Sequence, residues 1–172
     1  GSKFPWTASG SGKAYWQAGN GNIAFGSNNE ANWTAGTTAG AHMGWQAKGD
    51  ISSTSGMKAN WTSGAAADMW WEAGGNITMP NIESLNWSTT DAGHLLWLAG
   101  GNISVSVPNS KSLAWSNGTS SGTILWDAGG SIIADNAGTS STFTFTQTGT
   151  GNTQWQARAN IQAKGAKTFT SN

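Results

Sequence analysis

Hydrophobic and polar residues alternate in short runs along the whole chain, and the same run returns about every 28 residues. Six tryptophans mark its recurrence, each with an alanine two positions later: Trp16, Trp45, Trp71, Trp97, Trp126 and Trp155. A period of two places successive side chains on opposite faces of a β-strand. We therefore predict an all-β chain built from stacked repeats.

Each repeat contains three strand-like pieces, and the fourth copy shows them well. Leu85 and Trp87 belong to the first piece, Trp97 and Ala99 to the second, and Ile103 to the third. Glycine-rich and serine-rich segments of the kind that form turns join the pieces. The positions predicted to form the buried core are Trp33, Trp45, Trp61, Trp71, Trp87, Trp97, Trp115, Trp126, Trp155, Ile51, Ile77 and Ile103.

The repeats fill the chain apart from residues 1–2, which resemble a cloning scar. We expect residues 3–172 to form a single repeat array with units at about 4–30, 31–58, 59–84, 85–112, 113–142 and 143–168, and the start of a seventh at 169. Repeat arrays usually carry polar caps, and neither end shows an obvious one. The sequence therefore predicts a fragment of a longer protein.

Six units of three strands fit an elongated β-fibre in two forms. One is a trimeric β-prism or triple β-helix, in which three chains wrap a common axis, and the alternative is a single-chain β-solenoid. The interior of a narrow one-chain coil has little space for two inward tryptophans per repeat, which favours the trimer. A propeller blade needs four strands and about 40 residues, so that architecture fits less well.

Composition and charge argue against several classes of binding partner. The chain has 8 basic and 8 acidic side chains among 172 residues, a net charge of +0 and no cysteine. A neutral surface gives no electrostatic reason to bind nucleic acid or anionic lipid. No apolar run approaches the length of a membrane span. We expect no nucleic-acid partner, no membrane insertion, and neither disulfides nor cysteine-based zinc sites.

The polar, charge-poor character of the repeat carries a resemblance to known proteins. The segment from Leu85 to Ser88, followed by Trp97 to Ile103, resembles the β-repeat shafts of bacteriophage tail fibres and receptor-binding proteins. The Ala-Gly-Gly-Asn-Ile run within it also resembles filamentous-haemagglutinin-type adhesin repeats, which are generally shorter and not tryptophan-rich. The resemblance implies a homotrimeric, extracellular or virion-surface fibre segment that supports receptor binding.

Catalytic motifs are not evident in the sequence. His42 and His94 share a variable slot three residues before the repeat tryptophan, which predicts surface histidines rather than a metal site. No nucleophile elbow, phosphate loop or dinucleotide fingerprint occurs. We therefore predict a non-enzymatic protein without cofactor or metal. A glycosidase whose two carboxylates come from different repeats stays open as a further alternative.

Three residues are candidates for contact with a ligand. Trp70 and Tyr15 precede the repeat tryptophan and so point to the opposite, outer face of the second strand. Glu72 follows the repeat tryptophan and shares that outer face. Exposed aromatic rings can stack on sugar rings, so the alternative function is a carbohydrate-binding, lectin-like repeat protein. The partner would then be a cell-surface glycan or receptor.

Overall fold

The structure, a computed structural model, describes residues 3–8, 12–26, 30–36, 40–64, 66–118, 121–136 and 140–171. These residues form strands and turns and contain no helix. The predicted all-β repeat fold is confirmed, in the form of a β-solenoid. Residues 1–2, predicted to be a cloning scar, lie outside the described residues.

Three parallel sheets form the sides of the solenoid, and each coil contributes one strand to each sheet. Sheet A contains β1 (Lys3–Ala8), β4 (Glu30–Ala35), β7 (Lys58–Ser63), β10 (Ser84–Thr89), β13 (Ser112–Asn117), β16 (Thr142–Gln147) and β19 (Ala166–Ser171). Sheet B contains β2 (Lys13–Ala18), β5 (His42–Ala47), β8 (Asp68–Ala73), β11 (Leu95–Ala99), β14 (Thr123–Ala128) and β17 (Asn152–Ala157). Sheet C contains β3 (Ile23–Phe25), β6 (Ile51–Ser53), β9 (Ile77–Met79), β12 (Ile103–Val107), β15 (Ile132–Asn136) and β18 (Ile161–Lys164).

Every strand pairs in register with its equivalent in the next coil. In sheet B, for example, Trp45 pairs with Trp71, which in turn pairs with Trp97. Identical side chains therefore stack along the axis at the strand spacing of about 4.8 Å. The sequence repeat corresponds to one coil of the solenoid, because each repeat supplies one strand to each of the three sheets.

A single chain encloses both tryptophans of each coil. Within the second coil the ring centroids of Trp33 and Trp45 lie 4.3 Å apart, and within the fourth those of Trp87 and Trp97 lie 5.3 Å apart with an interplanar angle of 86°. The tryptophans of sheets A and B thus pack against each other across the interior. The architecture is therefore the single-chain β-solenoid. The expectation that a one-chain coil is too narrow for two inward tryptophans per repeat was wrong.

The core runs along the axis and is closed most completely in the middle coils. Ile51, Ile77 and Ile103 are fully buried, and so are eight tryptophans, each at most 4% exposed: Trp33, Trp45, Trp61, Trp71, Trp87, Trp97, Trp115 and Trp126. Trp155 is only partly buried, because its strand is the last of sheet B, although it still stacks on Trp126 at 4.9 Å. Trp6, in the first strand of sheet A, is 51% exposed.

A column of small polar residues links the coils at the corner between sheets B and C. The Asn22 Oδ1 accepts a hydrogen bond from the Asp50 backbone N–H at 2.8 Å, and Asp50 in turn accepts one from the Asn76 backbone at 2.6 Å. Asn76 and Asn102 continue the column toward Ser131. The polar residue before each repeat isoleucine therefore satisfies a backbone donor of the next coil.

Candidate functional site

The outer face of sheet B carries the residues on either side of each repeat tryptophan. The strands alternate, so the tryptophan points inward while its two neighbours point outward. The residues before it form one axial column: Tyr15, Gly44, Trp70, Leu96, Leu125 and Gln154. The residues after it form a second column: Gln17, Gln46, Glu72, Leu98, Asp127 and Gln156.

Tyr15, Gly44 and Trp70 form an aromatic platform in the first column. The rings of Tyr15 and Trp70 lie 5.4 Å apart at their centroids with an interplanar angle of 52°. Gly44 separates the two aromatic residues in the register, and a Cβ built on it would overlap Cε2 and Cζ2 of the Trp70 indole. The indole therefore lies over the glycine and reaches the tyrosine.

The spacing of the coils explains why the glycine is needed. Tyr15 and Trp70 belong to the first and third coils, so their backbones are separated by two strand spacings, about 9.6 Å. Any side chain at position 44 would stand between the two rings. With glycine there, Tyr15 remains 54% exposed and Trp70 half-buried, so both rings reach solvent on one continuous surface.

Three polar side chains stand beside the platform in the second column, and we call them the polar row. Gln17 donates from Nε2 to Oε1 of Gln46 at 2.8 Å, and Gln46 donates from Nε2 to Oε2 of Glu72 at 3.0 Å. All three side chains are exposed, and their amide and carboxylate groups supply donors and acceptors. The platform and the polar row line one hollow of about 320 Å³.

The two histidines occupy a third outward column and contact residues of neighbouring coils. The Nδ1 of His42 lies 3.3 Å from Oδ2 of Asp68, and its ring lies 6.3 Å from that of Trp70. Nδ1 of His94 accepts a hydrogen bond from the Thr123 backbone at 3.2 Å. Asp68 stands between them in the register and accepts from the His94 backbone at 2.9 Å. Among the described residues, no group of three or more histidine and acidic side chains is placed to hold a metal ion.

A second acidic residue faces the same side of the solenoid. Asp127 lies in the column of Glu72, two coils further along, with Leu98 between them. Two strand spacings separate the two backbones by about 9.6 Å. The carboxyl groups of inverting glycosidases lie roughly 6.5–9.5 Å apart. Both carboxylates are exposed to solvent, however, whereas a general acid needs an apolar site that keeps it protonated.

The sequence pattern identified part of this site. It singled out Tyr15, Trp70 and Glu72 as outward residues, and the structure brings all three into one hollow. Gln17, Gly44 and Gln46 were missed as members of the site. The available signal for Gly44 was that it is the only residue without a side chain in the column before the repeat tryptophan.

Comparisons with protein-family models, curated proteins and solved structures find no match for this chain. The resemblance to phage tail fibres and adhesins therefore stays a prediction from the residues. Within the described part of the chain, no helix has the length and apolar character that crossing a bilayer requires.

Proposed function

We propose that this protein is a non-enzymatic, adhesive β-solenoid segment that binds a carbohydrate receptor through the outer face of sheet B. The observation that carries the proposal is the Trp70 indole lying over Gly44 against Tyr15, beside the polar row. The setting would be the extracellular space or a virion surface, as part of a tail fibre or a surface adhesin. The bound receptor would be a cell-surface glycan.

Sugar chemistry matches the two halves of this site. A pyranose ring has an apolar C–H face and a rim of hydroxyl groups that both donate and accept hydrogen bonds. The aromatic platform offers a π-surface to the apolar face, and the polar row offers amides and a carboxylate to the hydroxyls. A shallow site of this kind combines apolar contact with a few polar groups that fix orientation.

The interior supports a mechanical role for the same segment. Trp71, Trp97, Trp126 and Trp155 stack in turn with centroid distances of 4.9 to 5.0 Å and interplanar angles of at most 5°. In such an array each coil buries its hydrophobic face against its neighbours, so adjacent coils stabilise one another. A rod with a continuous aromatic core suits a shaft that presents a binding face away from a surface.

Glycan-array binding tests the carbohydrate proposal. The wild-type protein, Trp70→Ala and the control Leu125→Ala are compared on a broad array, followed by titration with the best glycan. We expect Trp70→Ala to weaken binding roughly tenfold, because it removes the stacking surface. Leu125→Ala, in the same column but two coils beyond Trp70, should bind as the wild type does. Equal binding by all three proteins would contradict the role of the platform.

Two further results bear on the proposal. Absence of binding across the whole array would overturn carbohydrate recognition. Release of new reducing ends from a bound glycan, lost in Glu72→Gln or Asp127→Asn, would overturn the non-enzymatic assignment and make the two carboxylates a glycosidase pair.

The homotrimer stays a separate prediction, since a chain that closes its own core does not need two partners to bury its tryptophans. Sedimentation equilibrium at micromolar concentration measures the assembly state directly. A single species with the mass of one 17.7 kDa chain would overturn the trimer without affecting the glycan site.

A further inference from the structure

Glu72 lies where three surface hollows meet. The first is the platform hollow described above. The second extends along the corner between sheets B and C past Gln46 and Lys48, and the third continues in the opposite axial direction past Leu98 to Asp127 and its surroundings. Glu72 lines all three hollows, which therefore adjoin one another around this side chain, and we call them together the axial groove.

The floor of the groove is nearly free of side chains for a structural reason. It follows the residue after each sheet B alanine, which is Gly74, Gly100 and Gly129 in three successive coils. A Cβ built on Gly100 would overlap the Gly74 carbonyl oxygen, and one on Gly129 would overlap that of Gly100. The close approach of the coils thus requires glycine here, and these three positions contribute no side chain to the hollow that they line.

One wall of the groove is the column of side chains after the repeat tryptophan. From the first coil to the fifth it presents Gln17, Gln46, Glu72, Leu98 and Asp127. These residues span four strand spacings, about 19 Å along the axis. Polar side chains therefore lie on both sides of the one apolar side chain, Leu98. Successive side chains of the column are one strand spacing apart.

The charges in the groove balance. Lys48 and Arg158 supply two cations, and Glu72 and Asp127 supply two carboxylates. A groove with no net charge gives a charged polymer no electrostatic advantage, which disfavours nucleic acids and acidic polysaccharides. Side-chain amides and carboxylates still offer hydrogen bonds to hydroxyl groups along its length.

We infer that the axial groove binds a neutral, extended β-1,4-linked polysaccharide that lies parallel to the solenoid axis. One sugar ring stacks on the Trp70 platform, where the polar row faces its hydroxyl groups, and the following rings contact Leu98 and Asp127 in the next two coils. The spacing of the coils is close to the length of one ring in such an extended chain, so successive rings meet successive coils. This inference rests on the proposed function and names its ligand class.

The test is calorimetric titration with two neutral oligosaccharide series, the cello-oligosaccharides and the chito-oligosaccharides, each from dimer to hexamer. We expect the affinity of the wild-type protein to rise by roughly tenfold or more from dimer to hexamer in at least one series, because longer chains fill more of the groove. The series that binds shows whether hydroxyl or acetamido groups are recognised.

A double variant in the distant part of the groove tests the path of the chain. Leu98→Ala combined with Asp127→Ala should remove most of the gain with length while weakening dimer binding far less than Trp70→Ala does. Both side chains face outward on sheet B, so the variant should keep the circular dichroism and unfolding midpoint of the wild type. The matched control is Ser104→Ala on the outer face of sheet C, which should retain the full length dependence.

The possible failures separate the two proposals. If dimer and hexamer bind with equal affinity and both require Trp70, binding along the axial groove is contradicted, whereas binding at the platform is supported. If only charged glycans bind, the neutral ligand class is wrong. If neither these series nor any glycan on the array binds, the groove and the proposed function fail together.

Discussion

The indole of Trp70 occupies the space that a side chain at Gly44 would fill, one coil away on the same face of sheet B. Because no side chain occupies this space, the Trp70 ring lies over Gly44 and contacts the ring of Tyr15 in the first coil. A glycine in the second coil thus sets the shape of a surface formed by aromatic residues of the first and third.

Substitution of Gly44 should therefore change binding without removing either ring. Gly44→Val places branched carbons where the Trp70 indole lies, so we expect the ring to move away from Tyr15 and glycan affinity to fall roughly tenfold. Titration with the best array glycan measures this. Valine is a good strand residue, so the urea midpoint should change little. An unchanged affinity would show that the ring contact is not part of the binding surface.

The core tryptophans should differ in their contribution to stability according to their place in the solenoid. Trp97 is fully buried and stacks on Trp71 and Trp126, so Trp97→Ala should lower the free energy of unfolding by about 3–5 kcal/mol. Trp6→Ala, at a position that is 51% exposed, should cost much less. Urea unfolding followed by circular dichroism compares the two variants. Equal losses would mean that the first coil is as well packed as the fourth.

The polar column at the corner between sheets B and C should also contribute to stability. Asn76 accepts a hydrogen bond from the Asn102 backbone at 2.8 Å and donates from its amide to Asp50 at 3.2 Å. Asn76→Ala should cost about 1 kcal/mol, because a backbone donor loses its partner. The control is Asn86→Ala, whose exposed amide donates to Asn60 on the outer face of sheet A. If both variants unfold at the same urea concentration, the column has no special role.

The corner glycines allow a test of the close approach between coils. Gly100→Ala should destabilise the protein by about 1–3 kcal/mol, because its Cβ would overlap the Gly74 carbonyl and force the backbone apart. Gly19 holds the same corner position in the first coil and has no atom within 4 Å of a built Cβ. Gly19→Ala should therefore change the unfolding midpoint very little. Thermal unfolding of the two variants side by side distinguishes a steric requirement from a general preference for glycine.

Much of the fold could be predicted from the sequence, because each strand of the solenoid pairs with the equivalent strand of the next coil. The alternation around Trp87 and around Trp97 predicted two strands with an inward tryptophan each, and both tryptophans are buried. The number of chains around the core could not be predicted in this way. It depends on how sharply the chain turns at its corners, and the pattern of inward and outward residues is the same for one chain or three.

The sequence by itself determined the repeat, its three strands and the direction in which Tyr15, Trp70 and Glu72 point, because strand periodicity fixes the face of every side chain. Only the tertiary structure decided that one chain closes the core and that the three residues share a hollow. The physical reason is that contact between residues of different coils depends on register and on the side chain between them. At this site, the residue between them is Gly44.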